Sequence, residues 1–301
     1  MNGINASSLF HFTRNFDTLK KILENGLRLS YSLEYAPKEV VQAYLSPLCP
    51  EDIAFDEIEG SVVIPMISFC DIPLMRTLKH RSCYGSYVIG LNKKAVITKY
   101  EKIINPVVYT HSPNLSDFIR FLGIQYSQNE NDILKYVFSK AKEYSALSPE
   151  RLDKDRNKIN AEAKSFLDAK FLLGFFIGLI KPVSYGKKSY YDEREWRLFY
   201  PDNMYEQLSW KWSVSKREFE LKKNSWNDEL NSCQDFFIQI PEEELDKYIT
   251  HIIIKKEEDT DEMIRFILEN DKLFGCDWKN KYSRYKLISK VMSMERIERD
   301  F

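Results

Sequence analysis

The sequence is poor in the residues that build metal centres, disulfide frameworks and serine hydrolases. Its five cysteines are odd in number and widely spaced, without a Cys-x-x-Cys pair, so we expect no zinc site, no disulfides and a reducing cytoplasm. Only four histidines occur, none at metal-ligand spacing, and no Gly-x-Ser-x-Gly is present. A Gly-rich phosphate loop is also missing. These absences disfavour metalloenzymes, serine hydrolases and the standard nucleotide-binding loops.

The chain also lacks an excess of one charge and a long apolar run. There are 44 Lys+Arg and 45 Asp+Glu, so the net charge is near zero. We therefore expect no overall electrostatic attraction to nucleic acid or to an anionic membrane. The longest apolar run, 171–180, is half the length that a bilayer span needs, and the N-terminus has no signal-peptide pattern. We expect a soluble cytoplasmic protein that makes no membrane contact. Hydrophobic residues at 44% are ample for a large core.

Apolar periodicity predicts strands and helices that do not alternate regularly, which indicates an α+β fold. Pro65 lies inside one predicted strand and favours an edge position or a bulge there. The predicted strands are 9–13, 27–33, 62–69, 84–91, 107–109, 190–200, 236–240 and 249–254. The predicted helices are 15–26, 75–80, 115–126, 129–147, 148–179 (as one long helix or two), 242–248 and 260–270.

These elements are consistent with one domain over residues 1–301. Its strands form two groups, roughly 9–109 and 190–254, with a helical insertion at 115–185 between them. The charged C-terminal tail, 282–301, is expected to be partly helical.

The most unusual stretch is 190–200, Tyr-Tyr-Asp-Glu-Arg-Glu-Trp-Arg-Leu-Phe-Tyr. As a strand it would place Glu193, Glu195 and Arg197 on one face and Trp196 on the other, toward the core. If Arg197 pairs with Glu195, it keeps that carboxylate ionised. The plainer interpretation is an edge strand whose charges are solvated and pair with one another.

His11 stands inside an otherwise apolar strand. Taken alone, it is as well explained by a core histidine bonded to backbone as by a ligand-binding role. Nothing in its spacing to other residues decides between the two.

Two blocks of the sequence are the most specific: Phe-Cys-Asp-Ile-Pro-Leu at 69–74 and Glu-Arg-Glu-Trp-Arg at 193–197. They occur with Leu-Phe-His-Phe-Thr at 9–13 and its Gly-Leu turn at 26–27, the 84–91 and 105–109 segments, and the late Ile-Pro…Ile-Ile-Ile segment. Together these blocks resemble the AbiGi family of abortive-infection, phage-resistance proteins.

That family is similar, more loosely, to ADP-ribosyltransferase-like domains such as the DarT toxins. The similarity implies a split mixed or antiparallel sheet carrying a helical insertion, and NAD as substrate without a metal. By position it implies that His11 and Thr13 bind NAD, that Glu195 is the catalytic carboxylate and that Glu193 engages the acceptor. It further implies Ser68 or Phe69 near the nicotinamide, Arg76 or His80 at the diphosphate, and Tyr84 or Tyr87 stacked on the nicotinamide.

Two classes of function follow. The first is an ADP-ribosyltransferase or NAD glycohydrolase acting on a protein, a nucleic acid or NAD itself. The second is a non-enzymatic antitoxin or regulator that keeps the fold and binds a toxin from the same defence system or a phage component. A different nucleotide-binding or nuclease activity also stays open. The Lys-rich segment 211–223 is expected to be a solvated amphipathic element, with a nucleic-acid or partner surface as the alternative.

Overall fold

In the computed structural model of the chain, the described residues are 6–36, 38, 41, 58–110, 174, 177–182, 184–185, 188–189, 191–202 and 205–300. The helices are α1 (Phe16–Asn25), α2 (Leu78–Tyr84), α3 (Lys93–Lys99), α4 (Lys216–Asn231), α5 (Leu245–Tyr248), α6 (Thr260–Glu269), α7 (Lys281–Ile288) and α8 (Met294–Asp300). The strands are β1 (Ser8–Thr13), β2 (Leu27–Arg28), β3 (Ser30–Tyr35), β4 (Ser61–Cys70), β5 (Tyr87–Asn92), β6 (Ile104–Pro106), β7 (Val108–Thr110), β8 (Ile180–Pro182), β9 (Ser184–Tyr185), β10 (Lys188–Ser189), β11 (Glu195–Phe199), β12 (Lys211–Trp212), β13 (Phe237–Ile238), β14 (Ile249–Ile254), β15 (Lys272–Leu273), β16 (Cys276–Asp277) and β17 (Val291–Ser293).

The predicted α+β class is confirmed by a mixed main sheet with helices packed around it. The strand order is β17-β14-β5-β1-β4-β11-β6, and β3 and β12 pair with β4 as well. The β14–β17 pairing is parallel and the other pairings in this sheet are antiparallel. Its central strands are rich in β-branched residues; in β14, Ile252, Ile253 and Ile254 are fully buried.

The sheet splits along β4. Residues 61–66 of β4 pair with β3, whereas β1 pairs with β4 only at Phe10 and Cys70. The backbone of β4 between these two pairings therefore has neither β1 nor β3 beside it. This opening between β1 and β3 positions the site described below.

The prediction that Pro65 marks an edge or a bulge is wrong, because β4 is an interior strand of the main sheet. Pro65 faces Tyr31 across β3–β4. The Tyr31 N–H donates outward, to Asn227 Oδ1 at 2.9 Å, so this is a non-hydrogen-bonded pair and the nitrogen of Pro65 faces away from β3. On that side β12 pairs with residues 62–63 and β11 with residues 66–70, so the proline fits the gap between two strand ends.

The 190–200 stretch is not one strand, contrary to the sequence prediction. Tyr191–Glu193 forms a 3-10 turn and β11 begins at Glu195. Arg194 between them has φ 43°, a left-handed conformation that breaks the extended chain. Glu193 is therefore not on the β11 face that Glu195 and Arg197 share.

Two other segments also differ from prediction. Tyr84 ends helix α2 instead of beginning a strand, and Gly85, with φ 108°, makes the turn toward β5. A Cβ at Gly85 would lie 2.2 Å from the Thr13 carbonyl oxygen, so this close approach requires glycine. The C-terminal tail contributes β17 to the main sheet as well as α7 and α8.

The helices predicted at 115–126 and 129–147 and most of 148–179 lie outside the described residues. Residues 177–179 are helical, as predicted, but the end of the proposed insertion, 180–185, forms β8 and β9. The Lys-rich segment 211–223 runs through β12 into α4, where Phe219, Trp226 and Leu230 pack against the main core.

Candidate functional site

A cavity of about 220 Å³ lies where β1 and β3 diverge along β4. Six of the residues singled out in the sequence line it: His11, Ser68, Phe69, Tyr84, Glu193 and Glu195. They come from β1, β4, α2, a 3-10 turn and β11, so the fold brings together positions as far apart as 11 and 195.

Three other predicted residues with described side chains, Thr13, Arg76 and Tyr87, do not line this cavity. Thr13 is buried in β1, where it pairs with Tyr87 of β5. Arg76 is exposed at the end of the 3-10 turn Leu74–Arg76. The side chain of His80 lies outside the part of the structure that is described, and Tyr87 lines a different, exposed cavity beside Arg14 and Lys255.

Glu195 lies at the centre of a buried hydrogen-bond network. Its Oε1 accepts from Ser68 Oγ at 2.8 Å and from Arg197 Nε at 2.9 Å. Its Oε2 accepts from Lys181 Nζ at 2.8 Å and, more weakly, from Arg197 Nη2 at 3.3 Å. The carboxylate is only 8% exposed and its usual four acceptor positions are occupied by side chains of the chain itself.

The charges around Glu195 fix its protonation state. Burial disfavours the ionised carboxylate, but Arg197 and Lys181 outweigh burial and lower the pKa of Glu195 to about 2. The same attraction, working against burial, raises the pKa of Lys181 and of Arg197 above their ordinary values. Glu195 is therefore an anion at any physiological pH and cannot act there as a general acid.

Arg197 joins two carboxylates from different strands and is fully buried. Besides Glu195, it donates from Nη2 to Glu34 Oε2 at 2.6 Å and from Nη1 to the Gly178 carbonyl at 2.8 Å. The sequence hypothesis that Arg197 pairs with Glu195 and holds it ionised is thus confirmed.

Glu193 reaches the same site from its own turn. Its Oε1 accepts from the Tyr84 hydroxyl at 2.7 Å and its Oε2 from Lys181 Nζ at 2.9 Å. Lys181 therefore bridges both glutamates. Burial, and then the neighbouring Glu193, raise the pKa of Tyr84, so its hydroxyl stays protonated.

The parallel pairing of β7 and β8 positions Lys181. Tyr109 and Lys181 are partners in this pairing, and the backbone N–H of Glu195 donates to the Tyr109 hydroxyl at 2.9 Å. The two strands thus hold both the side chain and the backbone of Glu195.

His11 is neutral, and its tautomer follows from its partner. Its Nδ1 lies 2.9 Å from the Ser68 carbonyl oxygen, an acceptor only, so Nδ1 carries the proton. Burial lowers the pKa of His11 although this hydrogen bond opposes the shift. Its Nε2 is then an acceptor at a cavity wall.

The chain matches one family model, described as "Putative abortive phage resistance protein AbiGi, antitoxin", over residues 42–250, more than two thirds of its length. The chain belongs to the AbiGi family. No curated protein and no solved structure matches it. The match includes Ser68, Tyr84, Lys181, Glu193 and Glu195, but His11 and β3 precede it.

Sequence reasoning missed several cavity residues of this AbiGi protein. They are Phe10, Phe12, Ser30, Ser32, Glu34, Met66, Cys70 and Lys181. Ser30, Ser32 and Glu34 alternate with Tyr31 and Leu33, which pack in or against the core, and this period of two was a usable signal. Lys181 had none, because it directly follows an apolar run whose pattern favours a helix.

The site contains three carboxylates and two cations, so it carries a formal excess of one negative charge. The carboxylates are Glu34, Glu193 and Glu195, and the cations are Lys181 and Arg197. Among the described residues, no group of three or more His, Cys, Asp or Glu is arranged to hold a metal ion. In the same part of the chain no helix has both the length and the apolarity to cross a bilayer. The site can stabilise positive charge that develops on a ligand.

We expect Arg197→Met to lower the free energy of unfolding by about 3–5 kcal/mol, because it leaves the buried Glu195 and the half-buried Glu34 without their shared cation. Chemical denaturation monitored by circular dichroism measures this. Arg217→Gln, at an exposed position of α4, is the matched control and should change stability by less than about 0.5 kcal/mol. Equal stability of the Arg197 variant and the wild type would contradict the network described above.

We expect stability to fall as the pH is lowered from about 4.5 toward about 2 because of Glu195. The pKa of Glu195 is lower in the folded chain than in the unfolded chain. Its contribution to the free energy of unfolding is therefore complete above the unfolded-state pKa and is lost as the pH falls through the folded-state pKa. A tenfold difference between the two acid dissociation constants corresponds to about 1.4 kcal/mol of stability. The measurement is the free energy of unfolding against pH, for the wild type and for Glu195→Gln. If the two curves ran parallel across this window, the assigned ionisation would be wrong.

Proposed function

We propose that this AbiGi protein acts in phage resistance through an NAD-binding, ADP-ribosyltransferase-like site, which transfers ADP-ribose to a macromolecule or cleaves NAD. The observation that carries the proposal is that His11 and Glu195, from opposite ends of the sequence, line one cavity together with Tyr84. The split of the main sheet at this cavity supports an ADP-ribosyltransferase-like core.

The charges of the site support the chemistry. When the bond between ribose and nicotinamide breaks, its electron pair goes to the ring nitrogen of nicotinamide and positive charge develops on the ribose. An ionised Glu195 beside that ribose stabilises the charge electrostatically, as carboxylates do in glycoside cleavage. Water or an acceptor group then bonds to the ribose carbon and releases a proton to solvent. In this scheme Glu193 lies on the acceptor side, and the acceptor is a protein or a nucleic acid.

The other proposed contacts with NAD involve residues that line the cavity and residues that do not. His11 Nε2 can accept from a hydroxyl of the adenosine-side ribose, and Ser68 and Phe69 line the cavity where the nicotinamide would lie. The cavity, at about 220 Å³, is smaller than the 300–1,000 Å³ typical of whole-ligand pockets. A bound dinucleotide would therefore extend beyond it, and Arg76 and His80 are the proposed contacts of the diphosphate.

We expect the purified protein, alone or with lysate from phage-infected cells, to release nicotinamide from NAD or to label a target with ADP-ribose. Glu195→Gln should reduce this by at least about 100-fold, as losing one charge-stabilising group does in other enzymes. Chromatography of nicotinamide and a labelled NAD analogue provide the two measurements. Glu220→Gln, at an exposed position of α4, is the control, and thermal unfolding shows whether each variant is folded. A wild type that neither binds nor consumes NAD under either condition would refute the enzyme.

A second candidate is an antitoxin that keeps the fold and acts by binding a toxin or a phage component. Two observations favour it: the description of the family, and the occupation of every Glu195 acceptor position by the chain's own donors. A carboxylate held in this way contributes to structure without needing a substrate.

Expression in cells separates the two candidates. An antitoxin should leave growth unchanged when expressed alone and should restore growth to cells that express a toxin encoded beside it, because it acts by binding. An enzymatic effector should arrest growth alone, and Glu195→Gln should relieve the arrest. Growth curves under an inducible promoter are the measurement. Rescue that persists in a folded Glu195→Gln variant would support the antitoxin and contradict a role for NAD cleavage in protection.

A further inference from the structure

The acceptor and donor groups that remain open to a ligand in this cavity belong mainly to β3. Ser30, Ser32 and Glu34 line it from one face of the strand, and all three are half-buried. In the described structure neither serine hydroxyl makes a hydrogen bond, and Glu34 uses only Oε2, which accepts from Arg197 at 2.6 Å. Its Oε1 is therefore free to accept from a ligand.

The groups on the opposite wall are already engaged within the chain. Ser68 donates to Glu195, Tyr84 donates to Glu193, and Glu195 accepts from three side chains. A ligand hydroxyl that approached Glu195 would have to displace one of these donors. A hydroxyl that approached Glu34 would gain a charge-assisted hydrogen bond without breaking one.

The strand is held rigidly enough to serve as a recognition surface. Tyr31, on its other face, is buried in the core, and its hydroxyl donates to the Ser209 carbonyl at 3.2 Å. The outer edge of β3 is covered by α4 through the hydrogen bond from Tyr31 N–H to Asn227. Ser30, Ser32 and Glu34 therefore present a fixed row of two hydroxyls and one carboxylate, spaced two residues apart.

We infer that this row recognises the hydroxyls of a ribose, with Glu34 Oε1 as the principal acceptor. A carboxylate in line with hydroxyls, which both donate and accept, suits the adjacent hydroxyls of a sugar. The row lies in the same cavity as Glu195, and Arg197 contacts both carboxylates, so the ribose is the one beside the bond that breaks. This inference rests on the proposed function and adds Ser30, Ser32 and Glu34 to its binding residues.

The test compares two ligands that cannot be cleaved: carbocyclic NAD, in which a cyclopentane that keeps both hydroxyls replaces the nicotinamide-side ribose, and its 2′,3′-dideoxy form. By isothermal titration calorimetry, Glu34→Gln should weaken binding of carbocyclic NAD about tenfold, and Ser30→Ala and Ser32→Ala about threefold each. None of the three should weaken binding of the dideoxy form by more than about twofold. Ser225→Ala and Glu220→Gln, both on the exposed face of α4, are the matched controls.

The outcomes separate the inference from the proposed function. If the wild type binds carbocyclic NAD and all three β3 variants bind it equally well, the inference is overturned and the proposed function stands. Equal losses for both ligands would also overturn it, because Glu34 would then act through Arg197 and not on the hydroxyls. If the wild type binds neither ligand, the proposed NAD site is refuted, and with it the proposed function. The two serine variants retain the Glu34–Arg197 pair, so they test the row even if Glu34→Gln unfolds.

Discussion

The guanidinium of Arg197 is the constraint on which this site depends. A fully buried cation is costly unless it is paired and hydrogen-bonded. Here Glu195 of its own strand, Glu34 of β3 and the Gly178 carbonyl together satisfy it. These partners come from three separate parts of the chain, so the ion pairs fix how β3, β11 and the segment before β8 are arranged. That arrangement determines the shape of the cavity.

The split of the main sheet opens this charged cluster to the cavity. Where β1 and β3 diverge from β4, the Ser68 carbonyl lacks a strand partner, and His11 supplies the hydrogen bond instead. The same opening exposes one face of β3 to the cavity. A continuous sheet would have covered both, leaving a buried ion pair with a purely structural role. The split therefore links the fold to any chemistry that the site performs.

Local pattern predicted many of the described strands and helices, and family resemblance indicated six of the residues that line the cavity. β-Branched runs such as Ile252–Ile254 and the amphipathic α1 form as expected because burial and propensity agree there. Glu34 and Lys181 were missed because their partners lie far along the chain: Arg197 is 163 residues from Glu34, and Glu195 is 14 residues from Lys181. The spacing of neighbouring residues does not predict such contacts. The left-handed backbone at Arg194, with φ 43°, could not be predicted either, because arginine has no preference for that conformation.

The state of Glu195 bears on both functions considered for this family member. An anion whose acceptor positions are all occupied is stable without a ligand, which suits a protein that binds a partner. Under the proposed function, a ligand hydroxyl that bonded directly to Glu195 would replace one of its donors. Lys181 is one candidate, because its Nζ also donates to Glu193 at 2.9 Å. Lys181 would then release Glu195 without leaving the cavity. Because Glu193 and Glu195 share Lys181, loss of one of these hydrogen bonds would leave the lysine paired with the other carboxylate.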